Sequence, residues 1–276
     1  MARALSDPMN EAAGQAGNGK WSDFGIRLAS ALILAPIALA ALWRGGLFWE
    51  ALVGVAMVGL AGEWTRLAGL RRWNIVIFVA VLFSWLLAIL FGWIAGLAAL
   101  LLFTAVTSWR FGWFAAFGIP YIGIGGFSLL WLRRQPGVGL LDALFLVAVI
   151  WATDIGAYLA GRLLGGAKLA PRISPGKTWS GSIGGFAAGA LMGALLAGGF
   201  HGIDLAALPA ACLISVFAQA GDLLESAIKR KLGVKDSGRT IPGHGGLFDR
   251  LDGFLAAAPV AAILALGAHG GLPLWG

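Results

Sequence analysis

The chain has 276 residues, of which 59% are hydrophobic and only 12% are charged, and its mean hydropathy is +0.85. Soluble globular proteins carry about 25% charged residues, so this composition excludes an ordinary soluble domain and indicates a membrane protein. Because Cys212 is the only cysteine, a disulfide framework and a thiolate metal cluster are excluded as well. The net charge of +7 would suit nucleic acid, but the positions of the basic residues favour membrane orientation instead.

Apolar segments of nearly bilayer-crossing length follow one another along the chain and predict an all-α polytopic transmembrane helical bundle. The nine predicted spans are 24–43, 46–65, 73–91, 93–109, 111–132, 140–160, 182–200, 205–224 and 253–272. We expect three regions: 1–22 as a flexible cytoplasmic tail, 23–139 as a transmembrane scaffold and 140–276 as the catalytic region.

The basic residues are distributed unequally between the two sides of these predicted spans. With nine spans, 17 of the 20 Lys and Arg residues lie on the side of the N-terminus, and Arg44, Arg133 and Arg134 lie on the other. Since basic loops stay in the cytoplasm, the N-terminus and the polar loops 161–181 and 225–252 are predicted to be cytoplasmic. Nucleotides and anionic lipid headgroups are found on that side.

The first polar loop follows an aspartate that lies within an apolar span. Asp154 is about two turns from the end of its helix, where an ionisable group is costly and usually faces a polar cavity. The alternative is a structural ion pair with Arg162, about two turns further along the same face. Both interpretations remain open from the sequence.

Gly176-Lys177-Thr178, in the same loop, resembles the end of a Walker A phosphate-binding loop. That motif also needs a glycine where Pro171 stands, and it follows a strand rather than a membrane helix, so a P-loop NTPase is excluded. A basic turn before the N-terminus of a helix remains suited to binding an anion.

The second polar loop has carboxylates at both of its membrane borders. Asp222 closes one predicted span and Asp249 precedes the next, so a helical hairpin would bring them together at the membrane surface. Carboxylate oxygens beside phosphate-binding cations suit Mg²⁺. The glycines on both sides of His244 allow a ligand to approach the backbone closely. A solvated charged loop would explain the charges but neither of these arrangements.

Residues 226–252 contain a long motif in which specified residues stand at set spacings. They read Ser226-x-Ile228-Lys229-Arg230, then Lys235-Asp236-x-Gly238, then Ile241-Pro242-x-His244-Gly245-Gly246-Leu247-x-Asp249-Arg250-Leu251-Asp252. This series resembles the signature of the phosphatidate cytidylyltransferase (CDP-diacylglycerol synthase) family. Supporting similarity covers residues 154–158, 174–179 and 221–222, and weaker similarity extends to the Arg27 region and to Arg133. Gly176 and Ser180 depart from the family, which often has Lys and Glu there, so no charged role is assigned to either position.

The resemblance implies that the cytidylyl group of CTP is transferred to phosphatidic acid in phospholipid biosynthesis, with CDP-diacylglycerol and pyrophosphate as products. It implies a multi-pass enzyme of the cell inner membrane whose active site faces the cytoplasm. It further implies Mg²⁺ held by Asp222 and Asp249, with a monovalent cation such as K⁺ as an optional companion. The expected partners are CTP, phosphatidic acid and the bilayer, with no nucleic acid.

Most site residues follow from matching this signature. The candidate catalytic residues are Asp222, Asp249, Lys177, Lys229, Arg230, Lys235, Asp236 and His244. The candidate substrate-binding residues are Ser174, Thr178, Asp154, Ser226, Arg250 and Asp252. The Lys and Arg residues are expected to neutralise phosphates, and Ser174 and Thr178 to orient substrate through their hydroxyls. His244 either donates a hydrogen bond to phosphate or orders its loop, and Glu63 either lines the cavity or pairs with Arg66.

Three other functions compete with this interpretation. A CTP-dependent enzyme acting on another lipid, such as a polyprenol kinase, is disfavoured by the signature. A CDP-alcohol phosphotransferase needs a closely spaced aspartate array that the sequence lacks. A transporter would be expected to show polar breaks in both halves of the chain, whereas the polar residues here cluster in the C-terminal half. The Gly-rich span 182–200 can pack against its neighbours or against a second copy in a homodimer.

Overall fold

A computed structural model of the chain describes residues 32–70, 74–199, 202–238, 245–268 and 271–272. The predicted tail, residues 1–22, and His244 lie outside these described residues. The helices are α1 (Leu32–Arg44), α2 (Gly46–Leu67), α3 (Asn74–Phe91), α4 (Trp93–Phe111), α5 (Trp113–Arg133), α6 (Gly139–Leu164), α7 (Trp179–Gly198), α8 (Leu208–Lys231) and α9 (Phe248–Gly267). A short 3-10 helix, Leu205–Ala207, leads into α8.

The predicted all-α polytopic architecture is confirmed. Within the described ranges, seven helices, α2 and α4 to α9, are long and apolar enough to cross a membrane. The other two, α1 and α3, are shorter apolar helices, so the total of nine crossings stays a prediction.

Single glycines separate several consecutive helices in the N-terminal half. Gly45, Gly92 and Gly112 each stand between two helices with positive φ angles of 66°, 92° and 88°. Glycine adopts this left-handed conformation without the steric cost of a Cβ atom. The break between α4 and α5 therefore falls at Gly112.

Both polar loops are shorter than the sequence predicted, and one of them contains strands. Residues 225–231, expected in a loop, form the last two turns of α8, and residues 248–252 already belong to α9. Residues 161–164 extend α6, and residues 179–181 begin α7. Between them β1 (Lys168–Ala170) and β2 (Ser174–Thr178) form an antiparallel hairpin that pairs Lys168 with Thr178.

Apolar packing forms two clusters that share α9. The first is built from α1 to α5 and includes Phe248 and Leu255 of α9. The second is built mainly from α6, α8 and α9. Helix α9 therefore connects the predicted scaffold to the predicted catalytic region, and its polar first turn lies at their junction.

Helices α6 and α7 approach each other through small residues. A Cβ atom on Gly185 would lie 2.7 Å from the carbonyl oxygen of Thr153, and one on Gly181 would lie 2.9 Å from that of Ala157. Glycine at these positions permits the backbones to touch. The Gly-rich face of α7 thus packs against its own neighbour, one of the two alternatives that the sequence left open.

Candidate active site

A polar cavity of about 900 Å³ lies among α6, β2, α7, α8 and α9. Most of the charged residues predicted from the sequence meet in its wall, joined there by others that were not singled out. The charged lining residues are Asp154, Arg162, Lys177, Asp222, Glu225, Lys229, Asp249, Arg250 and Asp252. The site therefore depends on the whole C-terminal half of the chain.

Lys229 forms the centre of an ion-pair cluster at the C-terminal end of α8. Its Nζ atom lies 2.6 Å from Glu225 Oε2, one turn earlier on the same helix, and 2.6 Å from Asp249 Oδ1 on α9. The side chains of Lys229 and Asp249 are each 13% exposed, so this pairing is shielded from bulk water. Such a partly buried pair is stronger than a surface salt bridge.

Asp249 lies in the first turn of α9, where several hydrogen bonds fix its orientation. Its Oδ2 atom accepts hydrogen bonds from the backbone N–H groups of Gly246 at 2.8 Å and Ser237 at 3.2 Å. The hydroxyl of Ser237 donates to the same oxygen at 3.0 Å. A carboxylate at a helix N-terminus also interacts favourably with the free N–H groups and the dipole.

A second group of carboxylates lies where α8 and α9 come closest. Asp222, Glu225 and Asp252 each present an oxygen, and these oxygens all lie within 4.8 Å of one another. The close approach requires Gly221, because a Cβ atom there would collide with the carbonyl oxygen of Asp252. Not every oxygen of these three carboxylates has a hydrogen-bond donor. Glu225 Oε1 is buried and has no hydrogen-bond partner in the described part of the chain.

This carboxylate set fits a hard divalent cation. Mg²⁺ prefers oxygen ligands and is commonly held by one or two carboxylates together with substrate phosphates. The orphaned oxygen of Glu225 is the kind of buried polar atom that a cation would satisfy. Asp222 belongs to the predicted metal pair; Asp249, the other member, lines the same cavity but is engaged by Lys229, Ser237 and Gly246.

The first polar loop contributes a lysine and a helix cap. Lys177, near the end of β2, places Nζ 2.5 Å from Asp222 Oδ2, so this cation reaches the carboxylate group from the hairpin. Thr178 is the N-cap of α7, and its Oγ1 accepts a hydrogen bond from Gly181 N at 3.1 Å. Its hydroxyl therefore has a structural task beside the predicted substrate contact.

Asp154 faces the cavity, and no ion pair of the described residues joins it to Arg162. The guanidinium of Arg162 instead donates to Tyr158 Oη at 2.6 Å. The structure therefore favours the cavity interpretation of Asp154 over the structural ion pair.

The remaining predicted residues lie around the cavity rather than in its described wall. Ser226 Oγ donates to Asp222 Oδ1 at 3.4 Å, and Arg230 Nε donates to the carbonyl oxygen of Ile173 at 3.2 Å, which ties α8 to the hairpin. Ser174 lies at the start of β2. Lys235 and Asp236 are exposed on the segment after α8. Their direct roles stay predictions, as does the role of His244.

Two buried glutamates contact the site region although the sequence assigned neither of them a catalytic, substrate-binding or metal role. Glu225 received no role from the sequence, although its position one turn before Lys229 would have identified it on a continuous helix. Glu63 is fully buried and accepts hydrogen bonds from the start of α9. The expected alternative for Glu63, pairing with Arg66, is not the arrangement observed, because Arg66 Nε donates to the carbonyl oxygen of Gly62.

An apolar groove adjoins the polar cavity on the outer face of α7 and α8. It has a volume of about 340 Å³ and is lined mainly by apolar side chains, including Ile183, Phe186 and Val216. Leu169, Ser182 and Gln219 line both spaces. A hydrogen bond of 2.6 Å from Ser182 Oγ to Gln219 Oε1 lies in the wall between them. A polar and an apolar compartment thus adjoin each other and share three lining residues.

Comparison with known proteins identifies the family of the chain. The sequence matches the profile of the cytidylyltransferase family over residues 25–266, so the chain belongs to this family. The family predicted from residues 226–252 is thereby confirmed.

Individual relatives carry a more specific name. The phosphatidate cytidylyltransferase of Brucella suis is 42% identical over 255 residues, covering 86% of this chain and 91% of the relative. The phosphatidate cytidylyltransferase of Pseudomonas aeruginosa is 36% identical over 271 residues, covering 90% and 98%. That of Staphylococcus saprophyticus is 42% identical over 172 residues, covering 60% and 65%.

Proposed function

We propose that this chain is a phosphatidate cytidylyltransferase, which transfers the cytidylyl group of CTP to phosphatidic acid and releases pyrophosphate. The observation that carries the proposal is the cavity itself. It brings together Lys177 of β2, Asp222 and Lys229 of α8, and Asp249 of α9. The names and coverage of the relatives support the same reaction.

The reaction requires the phosphate oxygen of the lipid to attack the α-phosphorus of CTP while pyrophosphate leaves. Positioning and neutralisation of charge account for most catalysis in such a transfer. Lys177 of β2 and Lys229 of α8 both line the cavity and are suited to neutralise the phosphates of the two substrates. Arg250, in the first turn of α9, adds a third cation to the lining of the cavity.

A divalent cation completes the proposed site. Asp222, Glu225 and Asp252 would hold Mg²⁺, with Asp249 close by as the further carboxylate that the family resemblance implies. When bound, Mg²⁺ would neutralise phosphate oxygens and favour departure of pyrophosphate. K⁺ as a second cation is part of the same proposal.

The apolar groove supports a lipid as the acceptor. Acyl chains can lie along α7 and α8 while the phosphate of the same molecule enters the polar cavity, because the two spaces share Leu169, Ser182 and Gln219. A water-soluble glycerol phosphate would gain nothing from the groove.

The proposal includes the orientation predicted from the basic residues. The chain would cross the cell inner membrane nine times, with its N-terminus and the cavity facing the cytoplasm, where CTP is found. The basic last turn of α8, with Lys229, Arg230 and Lys231, agrees with that orientation. A homodimer is compatible with the lipid-facing surface.

Release of pyrophosphate by the purified chain in detergent tests the reaction. We expect release only when CTP, phosphatidic acid and Mg²⁺ are all present, and formation of CDP-diacylglycerol in equal amount. Glycerol 3-phosphate should not replace the lipid. Asp249→Ala should lower the rate at least 100-fold, because it removes a carboxylate and leaves Lys229 with one partner.

Thermal unfolding of the Asp249→Ala variant provides the folding control. No lipid-dependent pyrophosphate release by the wild type would contradict the proposed function. A folded Asp249→Ala variant with full activity would leave the reaction standing and contradict the assigned site.

A further inference from the structure

Glu63 belongs to the N-terminal half of the chain, yet its carboxylate is bonded to the active-site region. It lies near the C-terminal end of α2 and is 0% exposed. Its Oε1 accepts a hydrogen bond from Leu247 N, and its Oε2 accepts one from Phe248 N, both at 2.8 Å. These backbone groups are separated from Glu63 by more than 180 residues of sequence.

The two N–H groups are the free donors at the beginning of α9. A helix leaves its first N–H groups without intrahelical partners, and a carboxylate placed there satisfies them and interacts with the positive end of the dipole. The cap residue of α9, Leu247, makes no side-chain cap hydrogen bond. Glu63 therefore supplies from another helix the acceptor that a local cap residue usually provides.

The glycines of the second polar loop also pack against this carboxylate. A Cβ atom on Gly238 would lie 2.8 Å from Glu63 Oε1, and one on Gly246 would lie 2.7 Å from Glu63 Oε2. Side chains at these positions would displace Glu63 from the start of α9. The need for glycine at these two positions of the family signature is thus explained by Glu63, which lies outside the signature.

Ser237 connects Glu63 to Asp249. The Ser237 hydroxyl lies 3.2 Å from Glu63 Oε2 and 3.0 Å from Asp249 Oδ2, so one hydroxyl bridges the two carboxylates. Gly246, which packs on Glu63, donates its N–H to the same oxygen of Asp249. Every described donor to Asp249 Oδ2 therefore comes from a residue that also contacts Glu63.

We propose that Glu63 is a positioning residue, which holds the start of α9 and the segment around Ser237 so that Asp249 faces Lys229 and the cavity. The neighbouring Trp64 packs against Phe248 with ring centroids 5.8 Å apart, which fixes the same helix start by apolar contact. The inference rests on the proposed role of Asp249 in the reaction. It gives the N-terminal half of the chain a direct part in building the active site.

Glu63→Gln is the sharpest substitution because it keeps the shape of the side chain. In either orientation the new amide points its N–H₂ group at one backbone N–H of α9, which then loses its acceptor. Asp142→Asn is the matched control. Asp142 is also 0% exposed and accepts a backbone hydrogen bond from a distant segment, at Leu272 N, but it does not line the cavity.

The test compares kcat, both substrate KM values, the Mg²⁺ concentration for half-maximal rate, and the thermal unfolding midpoint with and without Mg²⁺. For Glu63→Gln we expect kcat to fall about 10- to 100-fold, as for other residues that orient site carboxylates. The half-maximal Mg²⁺ concentration should rise, whereas the KM for phosphatidic acid should change less than threefold. Asp142→Asn should lower the unfolding midpoint but keep kcat per folded molecule within threefold.

Ser237→Ala keeps the inference testable if Glu63→Gln does not fold. It removes the bridging hydroxyl and should lower kcat in the same direction, and the double variant should lose less than the product of the two single losses. Equal kcat per folded molecule in Glu63→Gln and Asp142→Asn, or a Ser237→Ala variant with wild-type kcat and Mg²⁺ dependence, would overturn the proposal.

The thermal measurement separates this proposal from the proposed function. A wild type that releases no pyrophosphate would contradict the reaction alone. The stabilisation of the wild type by Mg²⁺ should still be reduced in Glu63→Gln and retained in Asp142→Asn. The same Mg²⁺-dependent shift in both variants would overturn the role of Glu63.

Discussion

Glu225 has two oxygen atoms in different environments. Oε2 pairs with Lys229 at 2.6 Å, whereas Oε1 is buried without a hydrogen-bond partner among the described residues. Leaving a buried acceptor unsatisfied costs roughly 1–3 kcal/mol, and more when the group is charged. Asp222 and Asp252 lie beside this carboxylate. A cation bound among the three would offset both the unsatisfied acceptor and the repulsion between the carboxylates.

Glu225→Gln should therefore weaken Mg²⁺ binding more than it lowers the stability of the fold. We expect the Mg²⁺ concentration for half-maximal pyrophosphate release to rise about 10-fold or more, because a metal-facing charge is lost. Rates measured over a Mg²⁺ titration would show this. Glu50→Gln is the control. Glu50 Oε1 lies 2.6 Å from Arg134 Nη2, and Glu50 does not line the cavity. The Mg²⁺ dependence of the Glu50→Gln variant should therefore be unchanged. An unaltered titration curve for Glu225→Gln would remove this residue from the metal site.

At the scale of elements, the hairpin of α8 and α9 decides where the carboxylates meet. Gly221 lies against the carbonyl oxygen of Asp252 and the Cβ atom of Ala256, and it immediately precedes Asp222. The distance between the two helices at this point is therefore set by the absence of a side chain. Any Cβ atom added there must push α9 away from α8.

Gly221→Ala should both destabilise the chain and inactivate it. Overpacking of this kind costs about 1–3 kcal/mol, and the shift of α9 would separate Asp252 from Asp222. Thermal unfolding and pyrophosphate release in detergent would measure the two effects. Gly267→Ala, near the end of α9, is the control because a Cβ atom there meets nothing within 4 Å. Wild-type activity in Gly221→Ala would show that the two helices can separate without loss of the site.

The sequence predicted the apolar helices well, because hydropathy over about 20 residues is a strong signal for membrane spans. Their ends were less accurate. Helix α8 continues to Lys231 beyond its apolar part, since residues 225–231 contain no glycine or proline to stop it. The hairpin of β1 and β2 was not predicted, because residues 168–178 contain two prolines and a glycine and no regular alternation of apolar residues.

The candidate site was predictable where its residues form a dense local series. Lys229 and Asp249 belong to such a series and Asp222 lies just before it, and the structure brings all three to one cavity. Glu63 could not be recognised in the same way. Its partners are backbone N–H groups and Ser237, which lie at least 174 residues away, and backbone donors leave no pattern of residue types.

At the scale of the whole molecule, the N-terminal and C-terminal halves of the chain are joined at one end of the bundle. In the proposed orientation this end faces the cytoplasm. Glu63 of α2 and Phe248 of α9 meet there, and the two apolar clusters share α9. The N-terminal half therefore supports the site through a defined contact as well as through membrane packing. The orientation of this end relative to the bilayer decides whether CTP can reach the cavity.

Labelling of single cysteines would test that orientation. In a Cys212→Ala background, Pro136→Cys and Val234→Cys place thiols at exposed positions, between α5 and α6 and after α8. Helices α6, α7 and α8 separate them, so they should lie on opposite sides of the membrane. In intact cells a membrane-impermeant maleimide should label Pro136→Cys at once, and Val234→Cys only after permeabilisation.

A third thiol in the N-terminal tail tests the number of crossings. With nine spans, eight helices separate Ala12→Cys from Val234→Cys, so both thiols should be protected in intact cells. If α1 or α3 alone failed to cross, the two thiols would lie on opposite sides and only one would be protected. Labelling of Val234→Cys in intact cells would place the cavity outside, away from CTP, and would contradict the proposed reaction itself.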